Sequence, residues 1–206
     1  TMLSHLYAAG EAAAGPHGVD RIGGHMLLAS QVFGARAGRH AAKQTSRKKH
    51  FDIDNRVLRA SEERINALRD KKGDQKPTEV KRRLQESAYY NLLVTRSEES
   101  LTRFFNYVKS IREGLASHLS VASPYELIEA LELQNLLSLA EVEAIVCLER
   151  KESRGSHYRD DFPEQDDRNW LRNIIVKKVN DTPRLSTIAL DPEWRNRGDE
   201  KFKHWA

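Results

Sequence analysis

Residues 123–148 read SPYELIEALELQNLLSLAEVEAIVCL and carry the clearest helix-start signal of the chain. Ser123 is suited to cap a helix, Pro124 to occupy its first position, and the Glu126 carboxylate to reach back to the amide of the cap. Apolar side chains follow at helical spacing and cover a broad surface. This composition predicts a helix at the centre of a bundle.

Three amphipathic segments precede this helix and predict the other members of the bundle. They span residues 54–70, 77–95 and 98–118, and basic residues with Gly73 are expected to end the first of them. After a polar loop, residues 174–176 and 185–190 predict two short strands that can pair as a hairpin through residues 180–183. The predicted fold class is therefore mainly α, with a helical bundle of three to four helices and a β-hairpin tail.

The composition excludes several classes of protein. The chain has 206 residues, with 34 Lys and Arg against 30 Asp and Glu, which is long enough for a substantial core. Its single cysteine, Cys147, excludes an internal disulfide framework and predicts a small buried side chain. No stretch approaches the roughly 18 apolar residues that span a bilayer. The histidines lack the paired spacing of metal ligands, so no metal is expected.

Residues 1–42 differ from the remainder because they are rich in Gly and Ala and poor in charge. LYAAGE, residues 6–11, is typical of a strand that enters a turn and presents Glu11 at its end. A glycine-rich loop then places Arg21 just before a helix begins, where free amides and the positive helix dipole favour an anion or an electron-rich ring edge. A carboxylate suits ribose hydroxyls and an arginine suits a carboxylate ligand. A tight loop with a purely structural role is the alternative.

A second motif follows the apolar helix and reads ESRGSHYRDDFP over residues 152–163, with DDRNWL at residues 166–171. Its alternating arginine, histidine and aspartate residues suit either a catalytic cluster or a hydrogen-bonded surface loop that locks two domains together. The locking role is favoured, because a catalytic cluster needs a pocket that the sequence does not reveal.

The two motifs together resemble the flavoprotein subunit of the succinate dehydrogenase and fumarate reductase family, of which L-aspartate oxidase is a sibling. The resemblance lies in LYAAGE, in the pattern HGxxRxGGxxLL over residues 17–28, and in the second motif with its order and separation. Shorter echoes occur in between, at residues 82–85 and 96–101. The resemblance thus covers nearly the whole chain.

The resemblance implies a role for individual residues. Glu11 would hold the ribose of the adenosine half of FAD, and Arg21 would bind a carboxylate of a dicarboxylic substrate. The backbone amides of Met26 and Leu27 would face the pyrimidine edge of the isoalloxazine ring and stabilise negative charge on the reduced flavin. One departure from the family pattern is Asp20 in place of Asn, and this carboxylate can pair with Arg21 and weaken substrate capture.

A second departure is His25-Met26 where the family usually has Asn-Ser. This change leaves the amide contacts to the flavin possible but removes a side-chain hydroxyl.

The resemblance also implies how the chain is organised. Residues 1–42 would be the C-terminal piece of an α/β FAD- and substrate-binding domain, residues 43–165 the helical domain, and residues 166–206 a tail with short strands. The expected activity is that of an FAD-dependent oxidoreductase that interconverts a succinate/fumarate-type dicarboxylate pair by hydride transfer to or from flavin. This chain alone is expected to be inactive and to bind FAD weakly or not at all.

The expected partners are an iron-sulfur subunit, a dicarboxylate substrate and the missing N-terminal FAD-binding part. The expected location is cytoplasmic, with contact to the inner face of the membrane only through partner subunits. No nucleic-acid partner is expected, because the basic stretch at residues 43–49 has no interleaved aromatic side chains.

Two other hypotheses remain open at this stage. The chain is alternatively a redox-inactive helical interaction module or an isolated fragment. Thr1 suggests an N-terminal nucleophile hydrolase, but the strand, loop and helix that follow favour the flavoprotein hypothesis.

Overall fold

The computed structural model describes residues 5–13, 23–45, 54–69, 71–180 and 182–190. The chain forms two compact units, residues 1–60 and 61–206. Helices dominate, and a short antiparallel hairpin follows them, which confirms the predicted mainly-α class. No helix within the described ranges combines the length and the apolar character needed to cross a membrane.

The first unit contains a short 3₁₀ turn, Gly10–Ala13, and the helix α1, His25–Thr45. The strand predicted at residues 6–9 is wrong, because these residues have no regular secondary structure. A strand requires a neighbour for its backbone hydrogen bonds, and no described strand pairs with this segment.

The second unit holds the bundle and the hairpin. Its elements are α2 (Asn55–Asn66, which begins in the first unit), α3 (Pro77–Asn91), β1 (Thr95–Arg96), α4 (Glu98–His118), α5 (Pro124–Glu149), β2 (Tyr158–Arg159), α6 (Asp167–Trp170), β3 (Arg172–Val179) and β4 (Thr182–Ala189). Helix α5 packs against both α3 and α4, which also pack against each other. The predicted span of α4 is confirmed.

The core lies between α3, α4 and α5 and is closed by the segments that flank them. Three α4 side chains, Leu101, Phe104 and Val108, are completely buried, as are Ala130 and Leu133 on α5. Cys147 is buried near the end of α5, as predicted. The apolar residues that recur at helical spacing on α4 and α5 thus form the core of the bundle.

Two predicted helix ends are wrong. Helix α2 ends at Asn66 and not near residue 70, and α3 ends at Asn91 and not near residue 95. After α3 the chain passes through Val94, whose φ of 53° is left-handed, and enters β1, which pairs in parallel with β2. Long-range strand pairing therefore replaces the last predicted turn of α3.

Gly73 is required by a close backbone contact and not by a helix end. Its amide donates to the Leu119 carbonyl at 3.0 Å, and a Cβ at this position would overlap the backbone of His118. Only glycine therefore fits where these two segments meet.

The predicted cap of α5 forms with one difference. Ser123 Oγ accepts a hydrogen bond from the Glu126 amide at 3.2 Å, as expected for a capping serine. The Glu126 carboxylate accepts from the amide of Ala122 at 2.7 Å, one residue before the predicted cap amide. Helix α4 has a reciprocal capping box between Ser97 and Ser100.

The predicted hairpin is confirmed, and both strands are longer than expected. Strand β3 pairs with β4 from Arg172 opposite Ala189 to Val179 opposite Thr182. The tight turn starts at Asn180, whose φ of 49° suits the turn types that join two twisted strands.

Candidate flavin-site residues and the buried ionic loop

The turn that carries Glu11 packs closely on α1. Gly10 is buried with a φ of 66°, and a Cβ added there would lie 2.6 Å from Ser30 Oγ. Ser30 in turn donates a hydrogen bond to the Met26 carbonyl at 2.9 Å. The missing side chain of Gly10 thus places the Glu11 turn next to the first turns of α1, with the Glu11 side chain exposed.

The first turn of α1 offers backbone donors. The first hydrogen bond of the α1 helix is donated by the Leu28 amide to the Gly24 carbonyl at 3.4 Å. The amides of Met26 and Leu27 lie before this point, so the helix itself provides no acceptor for them. No acidic residue lies in this first turn to offset the positive end of the helix dipole.

The structure brings part of the predicted site together. Glu11 follows Gly10, which contacts Ser30, and Met26 is hydrogen-bonded to that same serine. Arg21 lies outside the described residues, as do Asp20 and Thr1, and so does most of the basic stretch 43–49. Their predicted roles stay predictions.

Two features of the described residues match the chemistry of parts of a flavin nucleotide. An exposed carboxylate can accept hydrogen bonds from ribose hydroxyls, and a helix start free of acidic side chains can donate to a ring edge that gains negative charge. Leu27 is 69% exposed, which leaves the first turn of α1 accessible to a ligand.

The second motif forms a buried ionic network around Glu152, whose side chain is completely buried. Arg154 binds both of its carboxylate oxygens at 2.9 Å, Arg150 adds a further ion pair, and the Asp166 amide donates at 2.9 Å. Burial alone would raise the pKa of Glu152, but these hydrogen bonds outweigh it and hold the pKa below its ordinary value.

Arg159, whose side chain is completely buried, forms the second ion pair of the network. Its guanidinium binds both oxygens of Asp161, at 2.7 and 2.6 Å, and donates to the Cys147 carbonyl at 2.8 Å near the end of α5. The hydrogen bond from Arg159 is the main reason that the pKa of Asp161 falls from 3.8 to about 2. Asp161 also accepts from the Glu98 amide at 2.8 Å, at the start of α4.

The network connects the ends of several elements of the second unit. Besides the bonds to α4 and α5, Arg150 donates to the carbonyls of Trp170 and Arg172, at 3.1 and 2.8 Å. Guanidinium groups near the end of α5 satisfy carbonyls that a helix terminus leaves without partners. The favoured locking role is therefore observed between elements of one unit, whereas the sequence pattern suggested a lock between two domains.

Burial also changes the titration of two neighbouring side chains. It raises the pKa of the Cys147 thiol and lowers the pKa of His157, so both groups favour their neutral forms. The described residues contain no group of three or more acidic, histidine or cysteine side chains placed to hold a metal ion.

The contribution of Arg96 to this network was not predicted from the sequence. Its guanidinium donates to the Ser156 carbonyl at 3.1 Å, next to the β1–β2 pairing. These two residues are 60 positions apart, and no local pattern links them. The short pattern Arg159-x-Asp161 was the only available signal of the bidentate pair.

The family described as fumarate reductase flavoprotein C-term matches residues 81–201. A fumarate reductase (CoM/CoB) subunit of Methanothermobacter marburgensis is 37% identical over 185 residues, which are 86% of this chain and 32% of that protein. The succinate dehydrogenase flavoprotein subunit of Rickettsia bellii is 30% identical over 85% of this chain and 30% of its own length.

The structural comparison agrees with these sequence relatives. The Mycobacterium smegmatis Sdh1 complex in its apo form contains a chain with a TM-score of 0.77 and 27% identity, covering 89% of this chain and 32% of that one. The chain thus spans about a third of the length of the relatives that it matches. On the match over residues 81–201, this protein belongs to the C-terminal family of fumarate reductase flavoproteins.

Proposed function

We propose that this chain forms part of an FAD-dependent oxidoreductase that interconverts a succinate/fumarate-type dicarboxylate pair. The observation that carries the proposal is the family match over residues 81–201, joined to the donor-rich start of α1 beside the Glu11 turn. Membership of a flavoprotein family favours this function over a redox-inactive interaction module.

In the proposed site, Glu11 accepts hydrogen bonds from the ribose of FAD, and the amides of Met26 and Leu27 donate to the pyrimidine edge of the flavin. The contact between Gly10 and Ser30 supports this arrangement, because it holds the Glu11 turn against α1. Bound flavin supplies the hydride acceptor or donor for the dicarboxylate.

Arg21 is proposed to bind one carboxylate of the substrate. A guanidinium forms two parallel hydrogen bonds to a carboxylate and so fixes its orientation as well as its position. This role depends on the sequence motif and the family resemblance.

The helical domain is proposed to carry contacts to partner chains. The Methanothermobacter and Rickettsia relatives are named as subunits, which supports an assembly with other chains. The N-terminal FAD-binding part and an iron-sulfur protein are the partners that the family resemblance implies. Such partners would supply any contact with the cytoplasmic face of a membrane.

The experiment that tests the proposed function uses the purified protein assembled with the FAD-binding part. Intact mass and the flavin absorbance at about 450 nm are measured on one sample, followed by dye-linked oxidation of succinate and reduction of fumarate. Glu11→Gln is expected to lower FAD retention, and Arg21→Lys to raise the KM for the dicarboxylate while flavin content stays the same.

The matched control is Glu62→Gln, which removes one exposed carboxylate from α2. It should leave flavin content and KM unchanged. Equal flavin content in the Glu11→Gln and Glu62→Gln proteins would contradict the role of Glu11. An assembled flavoprotein without activity on any dicarboxylate would contradict the proposed reaction.

A further inference from the structure

The β3–β4 hairpin carries an unusual arrangement of charge. Residues 172–190 contain four basic residues and one acidic residue, Asp181. The pairing of the strands places Lys177 directly opposite Arg184, and both side chains are exposed. Like charges directly opposite each other destabilise a strand pair. No carboxylate of the described residues pairs with either of these two cations.

The two faces of the hairpin differ. Lys177 and Arg184 lie on one face. The centre of the opposite face carries three half-buried apolar side chains, Ile174, Val176 and Leu185, with Arg172 at one end of β3 and Lys178 near the other. A two-stranded hairpin alone is marginally stable in water, and a third strand adds both hydrogen bonds and side-chain contacts.

The outer edge of β3 has backbone groups available for such a strand. The Leu190 amide donates to the Leu171 carbonyl at 3.4 Å, so residues 171 and 190 form a hydrogen-bonded pair. The alternation of an antiparallel ladder then turns the N–H and C=O groups of Ile174 and Val176 away from β4. Within the described part of the chain, nothing hydrogen-bonds to these outward groups.

The outer edge of β4 is less suited to an additional strand. Pro183 occupies one of its outward-facing positions and has no N–H to donate. The asymmetry between the two edges selects β3 as the edge that can accept a partner strand.

We infer that the outer edge of β3 binds an extended segment of a partner polypeptide in which acidic and aliphatic residues alternate. Alternation places the aliphatic side chains beside Ile174 and Val176 and places a carboxylate beside Lys177 on the opposite face. That carboxylate relieves the repulsion between Lys177 and Arg184. The backbone hydrogen bonds supply affinity, and the charges of Lys177 and Arg184 select a partner segment with acidic residues.

The test uses the 206-residue chain and an eight-residue synthetic peptide in which glutamate and valine alternate. Amide hydrogen exchange is followed by NMR with and without the peptide. The glutamate peptide is expected to slow exchange at Ile174 and Val176, and a peptide in which lysine replaces glutamate is expected to have no effect. Binding should weaken as salt concentration rises.

Two matched variants test the edge. Val176→Pro removes an outward N–H without removing a bond to β4, and it should abolish binding. Leu185→Pro removes the equivalent outward N–H on β4 and should leave binding unchanged. Equal binding by both variants would overturn the assignment to β3.

A charge reversal tests the chemistry of the partner separately. The double variant Lys177→Glu with Arg184→Glu keeps a like-charge pair in the hairpin. It should therefore bind the glutamate peptide roughly tenfold more weakly and prefer the lysine peptide. An unchanged preference would overturn the proposal. So would amides of Ile174 and Val176 that are already protected in the chain alone, because another segment would then cover the edge.

Discussion

The two compact units differ sharply in how much apolar surface they bury. The second unit buries fourteen residues in one hydrophobic cluster: Leu68, Val80, Leu84, Leu92, Leu101, Phe104, Val108, Leu119, Val121, Ala130, Leu133, Leu137, Ala144 and Cys147. In the first unit, only Gly10 and Ala29 are buried among the described residues, and Leu27 and Leu28 on α1 are 69% and 60% exposed.

The stability of the chain is therefore concentrated in the bundle. Burial of apolar area is the main favourable contribution to folding, and the first unit has little of it. The same unit carries the residues proposed to contact FAD. Such residues commonly lie where local stability is low.

The largest expected effect comes from the core of the second unit. Phe104→Ala removes a completely buried ring from α4 and should lower the free energy of unfolding by roughly 3–5 kcal/mol. Its matched control in the first unit is Leu27→Ala, with an expected change within about 0.5 kcal/mol. Urea denaturation followed by circular dichroism measures both. Similar losses for the two variants would contradict the difference in burial between Phe104 and Leu27.

A second comparison sets the ion pair of a completely buried guanidinium against an ion pair on the surface. Arg159→Leu leaves the Asp161 carboxylate and the Cys147 carbonyl without their donor. The expected loss is about 2 kcal/mol, because the buried Cys147 carbonyl loses its donor whereas water can solvate the partly exposed Asp161 carboxylate.

The exposed control is Arg82→Leu, which removes the Arg82–Glu86 pair on the surface of α3. It should cost less than about 0.5 kcal/mol. A loss for Arg159→Leu as small as that of the control would contradict a structural role of the ionic loop.

Glycine substitutions test packing in the first unit. Gly10→Ala places a Cβ near Ser30 at a left-handed φ and should destabilise the Glu11 turn by about 1–2 kcal/mol. Gly34→Ala on α1 has no atom within 4 Å of the added Cβ and should instead stabilise the helix by up to about 1 kcal/mol. Hydrogen exchange of the α1 amides reports both effects. Changes of the same sign would contradict the described contact.

The smallest expected effect is a pH dependence in the second unit. Asp161 has a pKa of about 2 in the folded protein against 3.8 ordinarily. Its ionised form therefore stabilises the fold above about pH 4, and this contribution is lost as the pH falls towards 2. Because solvent screens this partly exposed carboxylate, its expected contribution to the free energy of unfolding is about 1 kcal/mol. Asp161→Asn should flatten the plot of the free energy of unfolding against pH between about pH 4 and pH 2. An unchanged slope of this plot would contradict the low pKa of Asp161.

Much of the fold could be predicted because the relevant information is local. Residues 98–118 and 123–148 contain both the apolar spacing of a helix and the residues that cap it. The turn starting at Asn180 likewise depends on the backbone preferences of a few adjacent residues. The Glu11 turn and the start of α1 were identified from glycine placement and from motifs that resemble a flavoprotein family.

The helices α4 and α5, the hairpin and the family of the protein thus follow from local sequence patterns. Long-range packing, in contrast, determines that α3 stops at Asn91, that Gly73 meets the backbone of His118, and that Glu152 and Arg159 are completely buried. The reason is distance along the chain. These features depend on groups brought together by packing, and a buried charge reveals its role only when its partners are in place.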